Sequence, residues 1–218
     1  MDQQEPKRTR VSIDKVAIRV IVAVIVVTAL VFAWTSSNYQ SDGSAKDTWI
    51  DEGGHVHVLG IELEKSTLRN AEVALKSRSD IALYIYPDTH KNAGIRLEAY
   101  FPAINDHSKV ILVLEANPDL LHEIQQKGTV PHLYPNDVVR VNLHPKGIAA
   151  AQQLLVKELT LIPSIDITVE MLASRFGPAA KNTPGADGFM HYAYPEVGLE
   201  ATLREEDATL LHFSNPKK

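Results

Sequence analysis

The first candidates for a reactive or metal-binding site along the chain are two histidines one residue apart, His55 and His57. In a strand, residues i and i+2 point to the same face, so both imidazoles could bind one metal ion such as zinc. Further ligands would have to come from elsewhere, for example from His90, from His107 or from a carboxylate. Because the spacing fixes no third ligand, the pattern favours a polar strand face, and we expect no metal and no other cofactor.

A second run of reactive residue types is Asn105-Asp106-His107-Ser108-Lys109. The groups of a catalytic triad converge from separate segments, and neighbours in sequence rarely reach that geometry. Asn and Asp are typical of tight turns, so the run predicts a turn between two strands. The acidic run Arg204-Glu205-Glu206-Asp207 likewise predicts a solvated turn, since it has no calcium-loop pattern.

Known catalytic signatures are missing from the sequence. It has no nucleophile elbow, no phosphate-binding glycine loop and no HExxH motif. It also has no cysteine, which excludes disulfides, a thiol nucleophile and a lipid-modified cysteine. We therefore predict a protein that is not an enzyme, although an enzyme with an unrecognised site stays an alternative.

Aromatic residues in predicted strands are the best candidates for a binding site. They are Tyr84, Tyr86, Tyr100, Tyr192 and Tyr194. Packing between neighbouring strands explains such residues most simply. The alternative is an exposed aromatic sheet face that binds a partner, because tyrosine combines a large contact area with a polar tip.

The charge is distributed unevenly along the 218 residues. Five of the 22 basic and three of the 27 acidic residues lie within residues 1–34, which leaves residues 35–218 with 17 basic and 24 acidic side chains, a net charge of −7. A domain this acidic is repelled by phosphate backbones, so we expect no nucleic-acid partner.

Residues 16–34 predict a transmembrane helix. The segment begins at Val16, ends at Trp34 and contains one charged residue, Arg19, near its start. Nineteen residues span about 28 Å, which is close to the hydrocarbon thickness of a bilayer. The basic residues precede the segment, so the positive-inside rule places residues 1–15 in the cytoplasm. A cleaved signal peptide is the alternative, but the apolar run is at the upper length limit for one.

The remaining chain alternates between helical and extended patterns. Residues 35–47 predict a flexible linker, and residues 48–218 a domain outside the cytoplasm. We predict helices over residues 66–77, 118–127, 145–157 and 166–176. We also predict a short strand within residues 55–63 and strands over residues 80–86, 95–101, 109–115, 138–143, 189–194, 199–203 and 209–213. This composition predicts an α+β fold.

Five short landmarks occur twice in the same order. Leu-x-Ser-Arg at position 75 returns at 172, Tyr-x-Tyr-Pro at 84 returns at 192, and Leu-Glu-Ala at 97 returns at 199. An apolar strand and then Asn-Pro follow in both halves, at 117 and at 215. The pattern predicts two tandem units of a helix plus an antiparallel meander, over residues 58–118 and 159–216.

The second unit resembles a known family. A helix that ends in Arg175-Phe176-Gly177-Pro178, a polar loop and the aromatic strand Tyr192-Ala193-Tyr194 resemble the repeat of the β-lactamase-inhibitor-like fold, which also occurs in the SmpA/OmlA envelope lipoproteins. The resemblance covers residues 159–214 well and residues 58–116 loosely, where Ser79-Asp80 replaces Phe-Gly. It implies a bacterial envelope protein that binds other proteins. The missing lipid-attachment cysteine is a departure from that family, and the predicted membrane helix is another.

Together these patterns predict a single-pass protein of the bacterial inner membrane whose periplasmic domain binds an envelope protein of unknown identity. A periplasmic small-ligand-binding or sensory domain is the main alternative. A cytoplasmic tail of about 15 residues is too short to carry a signalling domain, which counts against a sensor.

Overall fold

The computed structural model describes residues 48–90, 92–129, 131–185, 187–204 and 208–216, together with Val24 and Thr28. Among these residues, no helix combines the length and the apolar character needed to cross a membrane. The predicted tail, membrane helix and linker lie outside the described residues, apart from Val24 and Thr28, which are helical. The fold below is that of the unit that spans residues 43–218.

Four α-helices, thirteen strands and one short 3-10 helix (Pro195–Val197) make up the described part of this unit. The helices are α1 (Leu68–Ala74), α2 (Pro118–Lys127), α3 (Pro145–Ala151) and α4 (Val169–Phe176). The strands are β1 (Trp49–Ile50), β2 (Val56–Val58), β3 (Ile61–Glu62), β4 (Asp80–Tyr86), β5 (Gly94–Phe101), β6 (Lys109–Leu114), β7 (His132–Leu133), β8 (Val139–Asn142), β9 (Val156–Ile162), β10 (Lys181–Pro184), β11 (Met190–Tyr194), β12 (Leu199–Leu203) and β13 (Leu210–Ser214). The predicted α+β class is confirmed.

Ten strands form one antiparallel sheet in the order β10-β11-β12-β13-β9-β6-β5-β4-β8-β7. The meander β4-β5-β6 occupies one half, and the meander β10 to β13 occupies the other. Strand β9 lies between the two meanders, because it pairs with β6 on one side and with β13 on the other. A separate three-stranded sheet contains β1, β2 and β3.

One face of the large sheet forms the hydrophobic core. The inward positions alternate along each strand, as in Leu97, Ala99 and Phe101 of β5, which are at most 1% exposed. The apolar side chains that the four helices bury join this same cluster; they are Leu68, Ala71, Ile124, Ala151 and Leu172. The helices therefore cover one side of the sheet, as expected for an antiparallel sheet with one packed face.

Local capping explains where the helices begin. Thr67 caps α1 through a reciprocal pair of hydrogen bonds with Asn70. The Asn117 side chain accepts a hydrogen bond from the Leu120 N–H, and Pro118 occupies the first turn of α2. Helix α4 ends at Gly177, whose φ of 80° lies in the region that favours glycine.

The predicted helix over residues 145–157 is wrong in its second half. Helix α3 ends at Ala151, and strand β9 begins at Val156. Two sheet neighbours satisfy the backbone of residues 156–162, which outweighs the apparent helical spacing of Ile148, Ala151 and Leu155. Residues 55–63, predicted to contain a short strand, contain two, β2 and β3. Leu59 and Gly60, whose φ values are positive, form the turn between them.

Candidate functional site

The second face of the ten-stranded sheet carries most of the sheet's polar and aromatic side chains. We call it the polar face and define it by the outward positions of β8, β4, β5, β6, β9, β13, β12, β11 and β10. They are Arg140, Asn142, Asp80, Ala82, Tyr84, Tyr86, Arg96, Glu98, Tyr100, Lys109, Ile111, Val113, Glu158, Thr160, Ile162, Leu210, His212, Ser214, Glu200, Thr202, His191, Ala193, Lys181 and Thr183. The register makes one row continuous across the sheet, from Asp80 through Tyr100, Ile111, Thr160, His212 and Glu200 to Ala193.

The five tyrosines predicted to share one exposed face lie on opposite faces. Tyr84, Tyr86 and Tyr100 lie on the polar face and are half-buried. Tyr192 and Tyr194 point to the helix-covered side, since their cross-strand partners are the buried Ala201 and Leu199.

Tyr194 is 4% exposed, and its ring centroid lies 5.6 Å from that of Phe176 in α4. It therefore packs in the core and does not belong to an exposed aromatic face. Tyr192, on the same side, packs against the core while staying partly exposed.

Glu98 is a buried carboxyl group at the centre of the polar face, with 8% exposure. Its Oε1 accepts a hydrogen bond from the Tyr86 hydroxyl at 2.9 Å. Burial raises the pKa of Glu98, and the bond from Tyr86 and the charge of Arg96 oppose that shift only in part. Burial also raises the pKa of the Tyr86 phenol, and the neighbouring Glu98 adds to the effect. This phenol stays protonated and can donate to Glu98 at any physiological pH.

Two ion pairs flank Glu98 on the same face. Arg96 Nη1 lies 3.3 Å from Glu158 Oε2, with both side chains about three-quarters buried. Arg140 Nη2 lies 2.7 Å from Asp80 Oδ2. Burial raises the pKa of Tyr84, and the neighbouring Arg140 opposes that shift. These pairs hold the arginines against the sheet, so the face presents an ordered mixture of guanidinium and aromatic groups.

A cleft of about 490 Å³ lies on the polar face at the β10 end of the sheet. Its lining residues are Lys181, Thr183, Gly185, Asp187, His191, Ala193 and Glu200. His191 Nδ1 lies 2.8 Å from Glu200 Oε1, and its Nε2 lies 3.0 Å from Asp187 Oδ1. The hydrogen bond to Asp187, followed by that to Glu200, raises the pKa of His191. An imidazolium between two carboxylates is thus favoured in this cleft.

The histidines predicted from their spacing have different roles in the structure. The His57 ring stacks on Trp49 with a centroid distance of 4.5 Å and approaches the carboxylates of Asp51 and Glu62. His55 Nδ1 instead lies 3.2 Å from Asp51 Oδ1. Neither of the further histidines joins them, since His90 stacks on Tyr86, and His107 lies in an exposed turn with a φ of 65°.

Asn105 to His107 form a turn, as predicted, and Lys109 is the first residue of β6. The Asp106 carboxylate accepts from the Ser108 N–H, and the Ser108 hydroxyl oxygen accepts from the Ser164 N–H. Both side chains are therefore engaged with backbone groups rather than arranged as a triad. In the second polar run, the Arg204 guanidinium lies 4.6 Å from the Phe189 ring centroid, and residues 205–207 lie outside the described part.

Sequence reasoning missed Glu98, Arg96, Glu158 and the carboxylates around His191. Glu158 was placed outside any strand because β9 was assigned in part to a helix. Its alternation is visible once the segment is extended, since Val156, Leu159 and Leu161 are buried while Glu158 and Thr160 are not. For Glu98, the outward position in an alternating strand gave no sign of burial. No protein-family model, curated protein or solved structure matches this chain.

Proposed function

We propose that this chain is a non-enzymatic protein-interaction module that uses the polar face to bind another protein of the bacterial envelope. The observation that carries the proposal is the composition at the centre of that face. Tyr84, Tyr86 and Tyr100 lie there beside Arg96 and Arg140, with Ile111 next to Tyr100 across the strands. Tyrosine and arginine are the residue types most enriched at the energetic centres of protein interfaces.

The arrangement of these side chains also suits a binding surface. The ion pairs and the Tyr86–Glu98 hydrogen bond hold the long side chains in place before a partner arrives. Ordering such side chains on binding would otherwise cost about 0.5–1.5 kcal/mol each. A preorganised surface therefore retains more of its contact energy as affinity.

In this proposal the polar face is displayed in the periplasm by a membrane helix over residues 16–34, with residues 1–15 in the cytoplasm. The two meanders of the sheet belong to two duplicated units in this proposal. The order helix, strand, strand, strand occurs as α1-β4-β5-β6 and again, with β10 inserted, as α4-β11-β12-β13, which supports a duplication. The resemblance to the β-lactamase-inhibitor-like and SmpA/OmlA fold stays a prediction.

The test is affinity capture of the full-length protein after crosslinking in intact cells. A Tyr84→Glu variant introduces a charge on the polar face, where Arg140 can accommodate it. Val73→Glu is the matched control, because Val73 is 73% exposed on α1, which packs on the other side of the sheet. The proposal predicts a reproducible envelope partner that is lost with Tyr84→Glu and retained with Val73→Glu. Equal recovery of every captured protein with both variants would contradict it.

A small-ligand-binding role is the second candidate, and the cleft around His191 favours it. The cleft is large enough for a small molecule. The side chains of His191, Asp187, Glu200 and Lys181 all line it. Such a lining suits a zwitterion such as an amino acid. Calorimetric titration of the full-length protein with the twenty amino acids tests this role, and the absence of heat at millimolar ligand would remove it.

A further inference from the structure

The small sheet brings together three potential metal ligands from three successive segments. Asp51 follows β1, His57 lies in β2 and Glu62 lies in β3. The ligand atoms of these residues all lie within 4.8 Å of one another. His57 Nε2 is 3.6 Å from Asp51 Oδ2 and 3.8 Å from Glu62 Oε1. One nitrogen and two oxygens therefore point at a common position.

The fold fixes the orientation of each ligand. His57 and Glu62 are direct cross-strand partners, and so are His57 and Trp49. Trp49 stacks on the His57 ring at an angle of 7°, which limits its rotation. Asp51 Oδ1 accepts from the His55 N–H at 2.8 Å and lies 3.2 Å from His55 Nδ1. With Oδ1 engaged, Asp51 Oδ2 is the oxygen left to face His57.

His57 Nε2 shows that protein groups alone do not satisfy this site. The atom is buried and has no hydrogen-bond partner in the described part of the chain. Its distances to the two carboxylates are too long for hydrogen bonds. An unpartnered buried nitrogen is costly, and a bound ion would supply the missing partner.

A cation already occupies part of this position, since the Lys65 ammonium contacts Glu62 Oε1 and lies 3.3 Å from Asp51 Oδ2. The Lys65 side chain is 49% exposed, so it can move into solvent without unpacking the core. The ammonium makes no hydrogen bond to His57 Nε2, which has no partner among the described residues. A metal ion satisfies all three groups at once.

We propose that Asp51, His57 and Glu62 bind one zinc ion, that water completes a tetrahedral site, and that Lys65 moves away when the ion binds. Zinc ligands at about 2.0–2.2 Å in a tetrahedron are roughly 3.3–3.6 Å apart. The distances from His57 Nε2 to the two carboxylates, 3.6 Å and 3.8 Å, are close to that separation. An imidazole ligand suits zinc, whereas calcium needs about six to eight oxygens. His55 acts as a positioning residue that holds Asp51.

The experiment is calorimetric titration of the full-length protein, purified in detergent with a tag that contains no histidine. Zinc is the probe, and magnesium and calcium are comparison ions. We expect a zinc dissociation constant below about 100 µM and a stoichiometry of one. Cobalt should give the visible absorption of a tetrahedral site. Zinc binding weaker than about 1 mM would overturn the proposal.

Variants assign the binding to these residues. His57→Gln and Glu62→Gln should each weaken zinc binding at least about 100-fold, and His55→Gln about 10-fold to 100-fold. Lys65→Met should strengthen binding at least about 10-fold, because no ammonium competes. His122→Gln is the matched control at an exposed histidine in α2 and should change nothing. Thermal unfolding of each variant shows that it is folded, and wild-type affinity in both His57→Gln and Glu62→Gln would contradict the site.

Discussion

The two faces of the sheet differ in burial, and this difference gives a quantitative prediction for two tyrosines. Tyr194 lies in the core at 4% exposure, whereas Tyr100 lies half-buried on the polar face. We expect Tyr194→Ala to destabilise the domain far more than Tyr100→Ala. The two substitutions are chemically identical, so their difference reports the environment of each ring.

The expected magnitudes follow from burial. A fully buried aromatic side chain removes about 150–250 Å² from water, which at about 25 cal/mol/Å² corresponds to roughly 4–6 kcal/mol. Measured truncations of buried aromatics cost about 3–5 kcal/mol, which agrees with that range. We therefore expect about 4 kcal/mol for Tyr194→Ala. For Tyr100→Ala we expect a smaller cost of about 2 kcal/mol, because this ring is only partly buried.

Urea unfolding of the full-length protein in detergent, followed by circular dichroism, gives both values. For a domain of this size the Tyr194→Ala variant should also melt about 8–16 °C below the wild type. Equal costs for the two variants, or a larger cost for Tyr100→Ala, would refute the assignment of the two tyrosines to opposite faces.

Three further predictions concern the backbone and two titrating groups. Gly198→Ala should lower the free energy of unfolding by at least about 2 kcal/mol more than Gly177→Ala. A Cβ at Gly198 would meet Val56 and lie 2.5 Å from the Ser214 carbonyl oxygen, whereas a Cβ at Gly177 would meet nothing within 4 Å. Both glycines have positive φ, so urea unfolding of the two variants compares the contacts alone. Burial raises the pKa of Glu98 above 4.5, so the folded state binds this proton more tightly than the unfolded state does. The wild type should therefore lose stability as the pH rises from about 4.5 through the folded-state pKa, and Glu98→Gln should not. A stability difference between the two proteins that does not change with pH would contradict this prediction. The pKa of His191 is raised above 6.5, so the stabilisation by its imidazolium should be complete below about pH 6.5 and disappear as the pH rises through the folded-state pKa. Unfolding of the wild type and of His191→Gln at about pH 6 and about pH 9 measures this stabilisation. A larger loss of stability in His191→Gln at the higher pH would contradict the prediction.

Elements with strong local signals were predicted well from the sequence. Strand β4 runs from Asp80 to Tyr86, as predicted, because its apolar run is bounded by Pro87. Helix α2 begins after Asn117 and ends before Gly128, since capping chemistry at both ends is local. Such features depend on neighbouring residues and so can be recognised without the fold.

Features that depend on long-range pairing could not be predicted. Strand β9 exists because β6 and β13 supply partners about 50 residues away in each direction. The opposite orientations of Tyr84 and Tyr194 follow from sheet register, which fixes the face of each residue only when the partner strands are known. The Tyr-x-Tyr pattern is the same in both places.

The spacing of the two histidines predicts only part of the candidate metal site. His55 and His57 were candidates for two ligands of one ion, but the turn after β1 pairs His55 with Asp51. The remaining groups near His57 come from Asp51, Glu62 and Lys65, which only the pairing of β1, β2 and β3 brings together. Sequence spacing identified one residue of the cluster, and the sheet supplied the others.

Site-specific photocrosslinking in intact cells tests whether the polar face binds the partner. A photoreactive phenylalanine analogue replaces Tyr84 or Tyr100 on the polar face, and Val73 or Met171 on the helices of the other side. We expect a crosslink to the same envelope protein from both polar-face positions and none from the helix positions. Crosslinks to that protein from the helix positions alone, or from none of the four, would contradict the assignment of partner binding to the polar face.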